Sequence, residues 1–227
     1  MTFSQQVLQF NLNLPASLEV PDGIEVLFPY EARETIQAMT AFYEKYYNDP
    51  HPRIFIFGIN PGRFGAGVTG VPFTDPIRLV EECGIDNNFK KKPELSSVFV
   101  YEFIHAFGGL EAFYKQFYIT SLSPLGFTKD GKNYNYYDDR QLQDAVEPFI
   151  IDSIQKQQQF PSSQRVALCM GQGKNAAFFQ KINEQHGFFK EILVLPHPRW
   201  VMQYRRKKLD EFVKAYVKAL CKAESNK

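Results

Sequence analysis

Arg53–Asp75 reads RIFIFGINPGRFGAGVTGVPFTD, and the fold follows from how this stretch changes character along its length. Ile54–Phe57 is a short apolar run of β-branched and aromatic residues, the composition of a buried strand. Gly58, Gly62, Gly65, Gly67 and Gly70 then crowd around Asn60-Pro61, giving a backbone able to approach a ligand closely and to take positive φ. Asp75-Pro76 closes the stretch as an N-cap followed by a proline at the first helical position. Strand, glycine-rich loop and helix, in that order, is where open α/β sheets bind ligands.

The same alternation repeats outward from this stretch. Residues before about Tyr30 show no strong period, and Leu14–Gly23 is loop-like. Glu31–Tyr47 carries Ile36, Met39, Phe42 and Tyr46 on one stripe, which predicts a helix. Downstream, helices are predicted from Pro76 to about Cys83 and after Ser96-Ser97, with Phe89–Leu95 between them as a basic surface loop. Strands are predicted at Phe117–Thr120, Arg165–Met170 and Glu191–Leu195. Lys129–Tyr137 reads as a long loop, and Asp138–Gln157 as a helix that Pro148 should end or kink near Glu147. Helices over about Lys174–Gln185 and Tyr204–Leu220 complete the chain. Four strands alternating with helices predict an α/β fold with a parallel sheet covered on both faces. The strands end in GINPG, TSLSP, GQG and PHP, so the unusual loops are expected together at the carboxyl edge of the sheet. Neither a repeat nor a linker divides the chain, and a single domain over residues 1–227, with its core at about 30–220, is expected.

Composition narrows the function. Hydrophobic residues make up 44% and aromatic residues 15% of the 227, which indicates a globular protein with a sizeable core. No apolar run is long enough to span a bilayer, and MTFSQQVLQF lacks the basic start and long apolar core of a signal peptide. Cys83, Cys169 and Cys221 are odd in number and scattered, which suits a reducing compartment: a bacterial cytosol with its nucleoid, or a nucleus. They offer no C-x-x-C metal pair and too few thiolates for a four-cysteine cluster. The formal net charge is only +1, yet Arg199, Arg205, Arg206, Lys207 and Lys208 fall within ten residues. Lys90–Lys92 form a second run, read as a solvated face.

GINPGRFGAGVTGVPF resembles the first signature of the single-strand-selective monofunctional uracil-DNA glycosylases, G-(M/I)-N-P-G-x-F-G followed by T-G-V-P-F. The resemblance implies a three-layer α/β/α sandwich around a four-stranded parallel sheet, with no cofactor or metal. It also implies DNA as the partner, carrying uracil or a related base in single or double strands, and a monomeric protein. Asn60 falls on the family's water-positioning asparagine and Phe73 on its base-stacking phenylalanine. His197 falls on the histidine that faces the uracil carbonyl, at the start of the loop after the last strand. Ile59, Gly62, Phe64, Phe73 and Ser121 are the residues expected to hold the base. Gly62 stands where the archetypal uracil-DNA glycosylases place a tyrosine against the 5-position of the ring, so room for 5-substituted uracils is expected.

Two departures qualify the likeness. Ser121 occupies the place of the family's asparagine at the end of the second strand; it would reach the base through water or leave recognition to backbone groups near Ile59 and Phe73. In PHPRWVMQYRRKK, the family's Ser-Pro pair after His-Pro is missing. Arg199, Trp200, Val201, Met202, Arg205, Arg206 and Lys207 are nonetheless expected at the DNA, the three apolar ones as a wedge filling the gap left by a flipped nucleotide and the cations on phosphates. Three functions stay open on the sequence. One is a monofunctional DNA glycosylase acting in base excision repair, and another is a non-catalytic module for damaged DNA. The third is a nucleotide-binding α/β enzyme, against which the chain lacks G-x-x-x-x-G-K-(S/T) and an acidic residue at the dinucleotide-fold spacing.

Overall fold

The computed structural model describes residues 1–227. In chain order its elements are α1 (Phe3–Leu12), β1 (Ile24–Leu27), α2 (Arg33–Tyr47), β2 (Arg53–Gly58), α3 (Ala66–Thr69), α4 (Pro76–Glu81), α5 (Leu95–Phe107) and α6 (Leu110–Gln116). Then follow β3 (Phe117–Ser121), β4 (Gly126–Lys129), β5 (Lys132–Tyr134), α7 (Arg140–Gln157), β6 (Ser162–Met170), α8 (Lys174–His186), β7 (Glu191–Leu195) and α9 (Pro198–Tyr204). A 3-10 turn at Arg206–Lys208 leads into α10 (Leu209–Ser225). β3, β2, β6 and β7 lie side by side in that order, every pair parallel, with helices flanking the sheet. This is the α/β sheet the alternation predicts. β2 is buried at every residue, which is why its sequence runs apolar without a polar face.

Arg53, at the start of β2, is wholly buried and shows how a charge is kept there. Its guanidinium bonds both carboxylate oxygens of Asp49 at 2.5 and 2.8 Å and donates to the carbonyls of His51 at 2.8 Å and Tyr114 at 3.2 Å. It also lies 4.9 Å from the Phe3 ring centroid and 5.1 Å from that of Tyr47. A buried charge with its donors used and aromatic faces around it escapes most of the desolvation penalty.

Several sequence expectations need correction. The stretch before Tyr30 is not featureless: α1 opens on a capping box, Thr2 with Gln5, and buries Phe3, Val7 and Phe10. The hydrophobic cluster accordingly runs from Phe3 to Ala223, beyond the expected 30–220. α7 passes through Pro148 instead of ending at Glu147. Pro148 and Asp144, whose carbonyl loses its partner, both sit on the exposed side, where water replaces the missing bond. α6 was not anticipated. The presumed loop at 129–137 begins as a hairpin, β4–β5, turning at Asp130-Gly131 with φ of 51° and 65°. That pairing is the Asp-Gly turn whose twist suits antiparallel strands. β1 pairs antiparallel with β4, giving a second sheet of order β1-β4-β5 against the glycine-rich loop. Gly126 is obligatory in that contact, since a Cβ there would lie 2.3 Å from the Pro61 carbonyl oxygen. No helix is long and apolar enough to cross a membrane.

Candidate active site

The ends of β2, β3 and β7 and the loop after β2 enclose a cleft of about 350 Å³. Of the expected residues, Ile59, Asn60, Gly62, Phe73, Ser121, His197, Arg199 and Trp200 line it. Register explains part of this convergence, because Gly58 of β2 lies directly beside Ser121 of β3.

The loop is pinned before it reaches the cleft. Thr35 of α2 donates to the Val68 carbonyl at 2.7 Å, and Thr69 to that of Thr74 at 2.7 Å. These bonds force Phe73 into the left-handed region at φ 53°, a conformation that costs a bulky residue roughly 1–3 kcal/mol. The strain delivers the ring onto the end of β2. A Cβ at Gly58 would stand 2.9 Å from Phe73 Cε2, so the ring can sit there only over glycine. An aromatic face held beside the backbone offers a flat ligand one side of a stack.

His197 is the N-cap of α9 and Pro198 its first residue. Its Nδ1 accepts the Arg199 backbone N–H at 3.1 Å. A nitrogen that accepts carries no proton, so the neutral ring bears its hydrogen on Nε2. Burial, with the Arg199 charge adding to it, pushes the pKa down to about 4, which keeps the imidazole neutral at physiological pH. The ring centroid lies 5.8 Å from that of Phe73. Behind it, Tyr216 of α10 donates to the Pro196 carbonyl and ties the loop to the core.

Asn60 is braced from the second sheet. Its Nδ2 donates to the carbonyls of Pro61 and Tyr134, each at 3.3 Å, and its Oδ1 accepts the Tyr136 N–H at 3.2 Å. Both amide hydrogens are engaged, and one lone pair of Oδ1 is left for a further donor.

Other expected residues fall elsewhere. Phe64 lies outside the cleft lining, with the Arg63 guanidinium 4.5 Å and the Lys92 ammonium 4.6 Å from its ring centroid. Lys92 is thus engaged with this ring, and the solvated-face reading of Lys90–Lys92 needs amending there. Val201 and Met202 are buried, at 0% and 6% exposure, and cannot form the tip of a wedge. Trp200 is 37% exposed and Tyr204, one turn on, 65%. Arg205 stacks 4.8 Å from the Trp200 ring, while Arg206 and Lys207 occupy the exposed 3-10 turn. The sequence reading missed Glu94, Asn133, Asn135, Tyr137, Gln203 and Tyr204, which also line the cleft. Nor is the space beside Gly62 open. A Cβ there would meet Glu94 Oε1 at 3.0 Å and Asn133 Nδ2 at 3.2 Å. No group of His, Cys, Asp and Glu side chains is placed to hold a metal ion.

Comparison with known proteins agrees with this geometry. The uracil DNA glycosylase superfamily matches residues 44–221. Among solved structures, that of wild-type Pedobacter heparinus SMUG2 superposes with a TM-score of 0.96 at 48% identity, covering 100% of each chain. No curated protein matches the chain.

Proposed function

The chain belongs to the uracil DNA glycosylase superfamily, and on that premise we propose that it hydrolytically removes uracil, or a related deaminated or oxidised base, from DNA as a monofunctional enzyme of base excision repair. The observation that carries this reading is one cleft holding a neutral imidazole with its proton on Nε2, an asparagine with one free lone pair and an aromatic face. The target nucleotide has to leave the stack to enter it, and Phe73 stacks on the extruded base. As the C1′–N bond lengthens, its electron pair moves onto the base, and the His197 Nε2–H donates to the carbonyl oxygen where that charge gathers. Water donates to Asn60 Oδ1 and is held against C1′. Its oxygen closes on the cationic sugar, and its surplus proton passes to solvent. An amide is too weak a base to take that proton early, so Asn60 orients the water and the sugar cation makes it acidic. No lysine lines the cleft, so the products are free base and an abasic site. Incubating the protein with a uracil-containing oligonucleotide tests this. Free uracil is expected, whereas tight binding without release would make the chain a damaged-DNA-binding module. Nucleotide binding without action on DNA would favour the nucleotide-enzyme reading.

The wedge role passes to Trp200 and Tyr204, whose rings stand out from α9 beside the cleft. Arg199, Arg205, Arg206 and Lys207 supply phosphate contacts around them. Extrusion from a duplex costs a few kcal/mol, which an unstacked base largely escapes. The double variant Trp200→Ala/Tyr204→Ala should therefore lose duplex excision by roughly tenfold more than single-strand excision at matched salt. Equal losses on both substrates would remove the wedge role. Gly62→Tyr gives a second check. Its side chain has to displace the ends of Glu94 and Asn133, and the ring then meets a 5-substituent before it meets uracil itself. Excision of 5-hydroxymethyluracil should fall further than that of uracil; equal losses would mean that the loop is merely distorted.

A further inference from the structure

Glu94 is the cleft residue that this mechanism leaves unused. It is the N-cap of α5, yet its side chain makes no capping bond, although an N-cap oxygen ordinarily accepts from the first turn. Asp75 takes over at that corner. Its Oδ1 caps α4 through the N–H groups of Ile77 at 2.9 Å and Arg78 at 3.0 Å, while its Oδ2 accepts the Glu94 N–H at 2.9 Å and the Ser97 hydroxyl. Glu94 is thereby held by its backbone while its carboxyl turns into the cleft.

The glycine-rich loop is shaped around that carboxyl. A Cβ at Gly65 would lie 2.1 Å from Glu94 Oε2, and one at Gly62 would lie 3.0 Å from Oε1. Two glycines therefore make room for one acid, which joins none of the chain's ion pairs. A buried carboxyl left so placed loses hydration for no structural return, unless a ligand completes it. Burial, and then the Asp75 charge, push its pKa up to about 7, with Ser96 and Arg199 pulling the other way. Near neutrality such a group can donate as the acid or accept as the carboxylate. Its acid form also avoids repelling a departing anionic base.

We propose that Glu94 is a specificity-determining residue that hydrogen-bonds a hydroxyl carried by the flipped base, of the class of a 5-hydroxymethylpyrimidine. This rests on the glycosylase reading. Ser121 and His197 stand at the ends of β3 and β7, on either side of the β2 loop, whereas Glu94 and Asn133 close the wall beside Gly62 and Gly65, where neither of those two reaches.

The test uses the full chain, its Glu94→Gln and Glu94→Ala variants, and single-stranded oligonucleotides bearing either uracil or 5-hydroxymethyluracil. Single-turnover rates and Kd are measured for each. In Glu94→Ala the loss on 5-hydroxymethyluracil should exceed that on uracil by about tenfold, the scale of one hydrogen bond. Glu94→Gln, which can still donate and accept, should recover most of the difference. Equal losses on the two bases, an unchanged ratio, or a wild-type protein that releases uracil but not 5-hydroxymethyluracil would overturn the assignment. If the wild type releases neither base, the glycosylase reading fails by itself. Glu94 is then judged by Kd alone: selective binding of the hydroxymethyl base that Glu94→Ala abolishes sustains it, and no selectivity ends it.

Discussion

Asn60→Ala should lower single-turnover uracil excision by on the order of 10²-fold or more, the scale lost when a positioning group is removed. Affinity for the oligonucleotide should change little, because the amide is aimed at water. The structure adds a second consequence. The Asn60 side chain bonds Tyr134 and Tyr136 as well as Pro61, so the variant also unties the loop from the hairpin. Losing these bonds at a half-buried position costs roughly 1–3 kcal/mol, or several degrees of melting temperature for a chain of this size. Near-normal excision by the purified, folded variant would reduce Asn60 to a turn residue.

His197→Ala should slow excision by roughly 10² to 10³, as removal of an oxyanion donor does. The pH dependence distinguishes a neutral donor from an acid. Because the pKa is lowered from 6.5 to about 4, the imidazole stays neutral across the range where an ordinary histidine titrates. Activity that depends on His197 should therefore hold from pH 8 down through 6.5 and fail only towards 4. Stability moves in the same sense. The unfolded chain binds its proton near pH 6.5 and the folded one not until about 4, so this group's contribution is intact above 6.5 and erodes as pH falls between them. A rate that drops tenfold per unit above pH 6.5, and loses that dependence in His197→Ala, would make the residue an acid catalyst instead.

The parallel sheet was legible because its signals are local: β2 and β7 are apolar runs of strand length that end in Asn-Pro-Gly and Pro-His-Pro. The wedge was misread for a reason also present in the sequence. His197-Pro198 is itself a helix start, an N-cap with proline at the first position, and helical spacing from Pro198 turns Val201 and Met202 inward while Trp200 and Tyr204 point out. Glu94 was hidden differently. Phe89–Leu95 has the look of a basic surface loop, and the acid acquires its meaning only where Gly62 and Gly65, some thirty residues away in the chain, come to face it. The brace on Asn60 is likewise a long-range bond, from residues beyond an Asp-Gly turn that was visible but sat inside a stretch taken for loop.

The two sheets divide the labour of the cleft. Ser121 and His197 end strands of the parallel sheet, whereas the orientation of the Asn60 amide is set by Tyr134 and Tyr136, at and just beyond the end of the antiparallel hairpin. Seat and trigger are therefore hung from different frames, which meet at the tight contact between Gly126 and Pro61. A base that seats badly presses on the loop at Gly62, next to that contact, and swings the water out of line without having to leave. On the proposed reading, discrimination among bases then acts as a clock as much as a lock: the wrong base is bound but outlasts its welcome unhydrolysed, and selectivity is read in turnover more than in affinity.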